Sequence, residues 1–477
     1  MSDRTLRPES PDAPPWVDHA ENPFNWPERK KWRIFFAAAS VTFLAGLNAT
    51  AIATPGPEIA ERFHVSDGSF PNSFWPVTAW TTAAALGPMV GMPMFENFGI
   101  RTGYLIVYAL FTLLIIPQAV APNFATLLVT RAIAGALGGI LQNAPEPFLA
   151  DTWLTDEERN LPITVFVLVY EAGVTLGPTF GAIASKLGWR WVSYLQLIIF
   201  GAFFPFLLLV IKETRGTVIL ARRAKQDTRL SRAASEAKQP PLSTLFYEAI
   251  ARPAHLLCTE PVVFFLTLWS AFCFGIVFIS TQSIPQIYSI NYGFTDAESG
   301  LVQVALLVGE VIGFFACLPQ NTYYQRSAAR NPINPGIPIP EARLPLSIPA
   351  SLVGLAGGLF WYAWASYPFL HWILPTVGLV FIGFSVMVIV TAVIMYLTDA
   401  YAKYAGSAVA AVAFGENIFA AWLPLATRRM YTVLGFQWAS SVLGFVALAL
   451  TLAPIVLLLK GENIRKKSKF IKEASYL

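Results

Sequence analysis

What most limits this chain is a series of twelve long, unbroken apolar segments. They lie near 33–54, 71–94, 103–120, 124–148, 161–185, 191–211, 260–283, 298–319, 346–366, 371–396, 404–427 and 433–459. Each is close to the roughly 20 residues that a helix rising 1.5 Å per residue needs to cross a hydrocarbon core about 30 Å thick. Little polar sequence remains to cover so much apolar surface. The 33 basic and 29 acidic residues are together 13% of 477, and the mean hydropathy is +0.53. Soluble domains carry roughly 25% charge. Ordinary cytosolic enzymes, disordered chains and nucleic-acid binders are therefore excluded. The segments lack the period-two alternation of barrel strands. The predicted class is an all-α membrane protein of twelve transmembrane helices, here called spans 1 to 12.

The spans divide six and six around a polar stretch. This predicts a tail over 1–32, a six-helix bundle over 33–211, a linker over 212–259, a second six-helix bundle over 260–459 and a basic tail over 460–477. Lys212, Arg215, Arg222, Arg223, Lys225, Arg229, Arg232, Lys238 and Arg252 crowd the linker. Basic loops stay in the cytosol, so the linker, both termini and the loop with Arg326, Arg330 and Arg343 are expected there. Two bundles joined by a long linker match the layout of secondary transporters, whose substrate sits near the midplane between the halves.

Several motifs sharpen this. In span 5, Gly173-Val-Thr-Leu-Gly177-Pro178-Thr-Phe-Gly181 sets small residues four apart, a stripe against which a helix packs closely, with a proline that bends it. Between spans 2 and 3, Glu96, Gly99 and Arg101 form an acid–glycine–base loop, and span 4 holds Arg131-Ala-Ile-Ala-Gly135. The first resembles the antiporter motif of the major facilitator superfamily, the second its charged loop signature, and the third its RxxxG motif. The loop departs from the pattern at Met92, where a glycine is usual, and at Ile100, where a base is usual. Asn22-Pro23-Phe24-Asn25-Trp26-Pro27, Trp189-Arg190-Trp191, Glu213-Thr214 and Leu397-Thr398-Asp399-Ala400-Tyr401 are similar, in order and spacing, to the fungal twelve-span drug:proton antiporters of that superfamily. The resemblance implies the major facilitator fold and makes Gly173, Gly177, Pro178 and Gly181 hinge residues. Glu96, Gly99, Arg101, Asp151 and Asp399, at helix ends, are expected to act as gating contacts.

A charge within a span costs at least ~2.5–3.5 kcal/mol, so the few that occur point to function. They are Glu146, Glu171, Glu310 and Glu416 in spans 4, 5, 8 and 11, and Arg131. A carboxylate removed from water can take up and release a proton or pair with a cation. These five are the expected proton-coupling or substrate-binding residues. A plain structural pairing of Arg131 with one of the glutamates is the alternative. Glu146 stands between Pro145 and Pro147, so span 4 is expected to be irregular there. Asn48, Thr50, Trp75, Trp80, Tyr170 and Trp269 are the expected cavity residues, the aromatics being able to stack on a flat or cationic molecule.

The expected function is proton-coupled export of a small organic molecule, xenobiotic or secondary metabolite, by alternating access in the plasma membrane, by a monomer. The proton gradient would supply the energy, with no cofactor, metal or catalytic residue. No GxxxxGK[ST] loop occurs, against a primary pump. An organic-anion carrier and a non-transporting sensor are the alternatives. A membrane enzyme would need a catalytic cluster, and His19, His64, His255 and His371 are scattered.

Overall fold

A computed structural model describes residues 19–66, 71–224, 241–331 and 338–474. Parts of the expected tails and linker (1–18, 225–240 and 475–477) lie outside the described residues. Among the described residues the chain is all-α, without a strand.

Every predicted apolar segment is helical. Spans 1 to 3 are Glu28–Ala51, Trp75–Phe98 and Ile100–Ala119. Span 4 is Phe124–Asn143 followed by Pro145–Thr152, span 5 is Asp156–Ala184 and span 6 is Arg190–Val210. Span 7 is Pro261–Tyr292, and span 8 is Asp296–Val302 followed by Val304–Ser327. Span 9 is Ser347–Pro349, a π-helical turn Ala350–Ala356 and Gly357–Ala365. Spans 10 and 11 are Ile373–Tyr401 and Ala405–Trp422, and span 12 is Thr427–Leu450, broken by a kink at Gly435, followed by Leu452–Arg465.

Local chemistry sets the ends and breaks. Asn123, Thr155 and Thr295 cap spans 4, 5 and 8 by accepting from a backbone N–H three residues on, and Thr295 forms a reciprocal box with Glu298. Span 4 breaks ahead of Pro145, which has no N–H to continue the ladder. Gly99, at φ 96°, turns span 2 directly into span 3, a conformation that only glycine adopts without strain.

Helix contacts repeat with a shift of six. Spans 2–4, 1–5 and 3–6 pack together in the first half, and spans 8–10, 7–11 and 9–12 in the second. Between the halves, span 5 meets span 8 and span 11 meets span 2, which is the same pair under that shift. The chain is thus two six-helix bundles related by a pseudo-two-fold axis. Leu113 of span 3, Leu209 of span 6, Trp361 of span 9 and Phe445 of span 12 lie exposed on the outer flanks.

Several boundaries differ from the sequence reading. Structure begins within the expected N-terminal tail, where Lys30 sits 3.4 Å from the Trp26 ring centroid and span 1 starts at Glu28. The linker holds helices at Gly216–Ala224, Leu242–Phe246 and Arg252–Thr259. The C-terminal tail is anchored too, by an ion pair between Arg465 and Glu341.

Candidate functional site

The seam between the halves is closed by hydrogen bonds that cross it. Toward the end of the bundle opposite the linker, Thr179 Oγ1 donates to the Gly300 carbonyl at 2.7 Å and Thr78 Oγ1 to the Ala421 carbonyl at 3.0 Å. Toward the linker end, Arg343 donates to Asn160 Oδ1 at 2.9 Å. Midway along span 5 stands Glu171, fully buried, with no hydrogen-bond partner on either carboxylate oxygen among the protein groups. One turn on, Thr175 Oγ1 donates across the seam to Glu310 Oε1 at 2.5 Å, and Glu310 Oε2 has no partner. Glu416 of span 11 accepts from Ser270 of span 7 at 2.5 Å. Glu310 and Glu416 are the carboxyl groups nearby. Tyr170 stacks on Phe274 at 5.5 Å and 16° between ring planes, again across the seam. Three carboxyl groups and a stacked aromatic pair therefore meet where spans 5, 7, 8 and 11 converge. Both halves contribute to this cluster.

The remaining expected residues lie elsewhere. Glu146 lies in the first turn of the second piece of span 4, half-buried. Arg131 pairs with none of the four glutamates. It is buried inside the first half, where Nε donates to the Pro76 carbonyl at 3.1 Å and Nη2 to the Ala49 carbonyl at 2.8 Å. Its Nη1 donates to Asn48 O and Oδ1 at 2.9 and 3.0 Å. Asn48 donates in turn to Gln196 Oε1 at 2.5 Å, so it serves this network rather than a cavity. Thr50 donates to the Val174 carbonyl at 2.7 Å and tightens spans 1 and 5.

Of the expected cavity aromatics, only Tyr170 reaches the acids. Trp80 is packed against Gly138, its ring 5.9 Å from the Arg131 guanidinium, and Trp269 donates to Ser351 at 3.2 Å within the second half. Trp75 instead lines a cavity of about 730 Å³ with Trp422, Arg429 and Leu434, at the end away from the linker. Helix faces explain these placements. Span 5 turns Glu171 and Thr175 toward the second half, whereas Gly173, Gly177 and Gly181 face span 1. A side chain at Gly177 would strike Thr50 Oγ1 and one at Gly181 the Ala51 carbonyl. The small-residue stripe thus holds span 5 within its own half, and the helix runs unbroken through Pro178.

Among the described residues no three His, Cys, Asp or Glu side chains converge closely enough to hold a metal ion. What remains is a transporter-like seam around buried acids, and the wider comparison agrees. A sequence profile of the Major Facilitator Superfamily matches residues 38–424.

The chain belongs to the major facilitator superfamily.

Similar proteins include paaT, an MFS-type transporter of Penicillium rubens, at 32% identity over 95% of this chain and 82% of the relative. The MFS-type efflux pump MFS2 of Trichophyton rubrum is 32% identical over 96% of this chain and 77% of the relative. In fold, the chain is similar to the proton:xylose symporter XylE bound to 6-bromo-6-deoxy-D-glucose. The TM-score is 0.64 at 17% identity, over 91% of this chain and 96% of that one.

The superfamily's charged loop is also held by a carboxylate from outside it. The Glu96 side chain lies outside the described residues. Glu213 accepts there from the backbone N–H of Ile100 at 3.0 Å, Arg101 at 3.3 Å and Arg215 at 3.1 Å. Asp151 pairs with Arg215 at 3.1 Å. Asp399 pairs with Arg343 at 2.8 Å, and Arg343 also lies 3.5 Å from the Tyr324 ring centroid. Sequence reasoning gave no role to Thr175, Ser270, Phe274, Glu213 or Asn160. Glu213 stood in a quoted motif, and Thr175, four residues from Glu171 and thus on its face, also left a signal.

Proposed function

We propose that this chain is a proton-coupled secondary transporter that exports small organic molecules, xenobiotics or secondary metabolites, by alternating access. The observation that carries this reading is Glu171, buried without a partner on one half and facing Glu310 and Glu416 on the other. Ionised carboxylates crowded together without water are costly, and a proton or a cationic group relieves that cost. Opening either end of the seam would part Glu171 from the other two and admit water. Occupancy of the site by protons is then coupled to which end is open. Relatives described as efflux pumps support the outward direction. The basic residues gathered at the linker end support a cytosolic linker and termini. An organic-anion carrier would call on Arg131, whose donors are already engaged within the first half.

The test is efflux from vesicles holding the purified full chain, with and without an imposed pH gradient, using an amphiphilic cationic dye. Wild type is expected to move dye against its gradient only when the pH gradient is present. Glu171→Gln is expected to keep dye exchange at equilibrium and to lose the pH-driven component. Unchanged pH-driven efflux in both Glu171→Gln and Glu310→Gln would refute the coupling assignment.

A further inference from the structure

A second cavity lies away from the seam, on the outer flank of the first half at the linker end. It has a volume of about 350 Å³. Its lining joins Arg101, Leu105, Ile106 and Ala109 of span 3 to Phe204 of span 6 and Arg222 of the linker helix Gly216–Ala224. We propose that this cavity binds an anionic phospholipid of the adjacent leaflet, the cytosolic one in the topology proposed above.

The cavity is amphiphilic along its length. Two guanidinium groups stand at one end, and guanidinium is the side chain whose planar donors match phosphate oxygens two at a time. From Arg101 the apolar lining descends span 3 to Ala109, about 12 Å at 1.5 Å per residue. Ile106 is 54% exposed on this flank. A free phosphate would satisfy the arginines and leave the apolar wall bare, whereas a phospholipid satisfies both.

Arg222 is also held in place. Glu213 grips the start of span 3, and Arg215 and Thr214 bind Asp151 at 3.1 and 3.3 Å. Leu220 is buried against the bundle. The linker helix is thereby fixed to the helix ends beneath it, which sets Arg222 across the cavity from Arg101. Two acids of this region are engaged with other groups. Glu213 accepts from three backbone N–H groups and Asp151 pairs with Arg215.

The test is native mass spectrometry of the purified full chain titrated with phosphatidylserine, phosphatidylinositol or phosphatidylcholine. The anionic lipids are expected to stay bound and phosphatidylcholine to dissociate. Arg101→Gln and Arg222→Gln are each expected to weaken anionic-lipid binding about fivefold, and the pair about 25-fold. Ile106→Glu, a change at an exposed side chain, is expected to expel the anionic lipid with both arginines intact. Equal retention of phosphatidylcholine, or full displacement of the lipid by inorganic phosphate, would overturn the proposal. So would an equal loss on replacing the tail residues Lys466 and Lys467 by Gln.

Discussion

Asn160 offers the cleanest perturbation of the seam. Its Oδ1 accepts a hydrogen bond from Arg343 across the two halves at 2.9 Å, with Arg343 only 2% exposed. The other contacts of Arg343, with Asp399 and the Tyr324 ring, lie within the second half. Asn160→Ala therefore removes a bond between the halves and leaves the second half intact. A buried hydrogen bond from a charged donor contributes about 1.5–3 kcal/mol. At 1.4 kcal/mol per factor of ten, its loss favours the state open at the linker end by roughly 10- to 150-fold. Cys273, fully buried beside Glu171 and Glu416, reports on that opening. With Cys258 and Cys317 replaced by serine, alkylation of Cys273 should proceed only through open molecules. In nanodiscs, Asn160→Ala should speed alkylation by about that factor with the melting temperature nearly unchanged. Asn160→Asp, which puts a carboxylate opposite the guanidinium, should slow it. A rate for Asn160→Ala within about twofold of wild type would refute the claim that this bond holds the linker end shut.

Two further changes test the packing of the first half. Gly177→Val drives a side chain into Thr50 Oγ1, which already donates to the Val174 carbonyl. Overpacking and a displaced hydrogen bond should together destabilise the protein by about 2–4 kcal/mol, read as a lower melting temperature, whereas Val at the open position Gly201 should be tolerated. Arg131→Met strips the charged donor from the carbonyls of Pro76, Asn48 and Ala49. The expected outcome is a loss of at least about 3 kcal/mol, seen as aggregation in size-exclusion chromatography, and not a selective loss of pH-driven transport.

The sequence by itself determined the solvent, the all-helical class and the superfamily. Those depend on local quantities: the length of an apolar run, the sign of the charge in a loop, the spacing of glycine and proline along one helix. The break in span 4 ahead of Pro145 and the inward acids were legible for the same reason. Tertiary structure decided which of those acids meet. Glu171, Glu310 and Glu416 lie on spans far apart in sequence, and only the packing of span 5 on span 8, and of spans 7 and 11 on each other, brings them to one seam. It enclosed Arg131, Trp80 and Trp269 within their own halves, because a helix has several faces and one sequence does not say which neighbour each will meet. It also brought a further carboxylate, Glu213 beyond the end of span 6, to the loop signature. Hydropathy is a property of a segment, whereas a site is a property of contacts between segments.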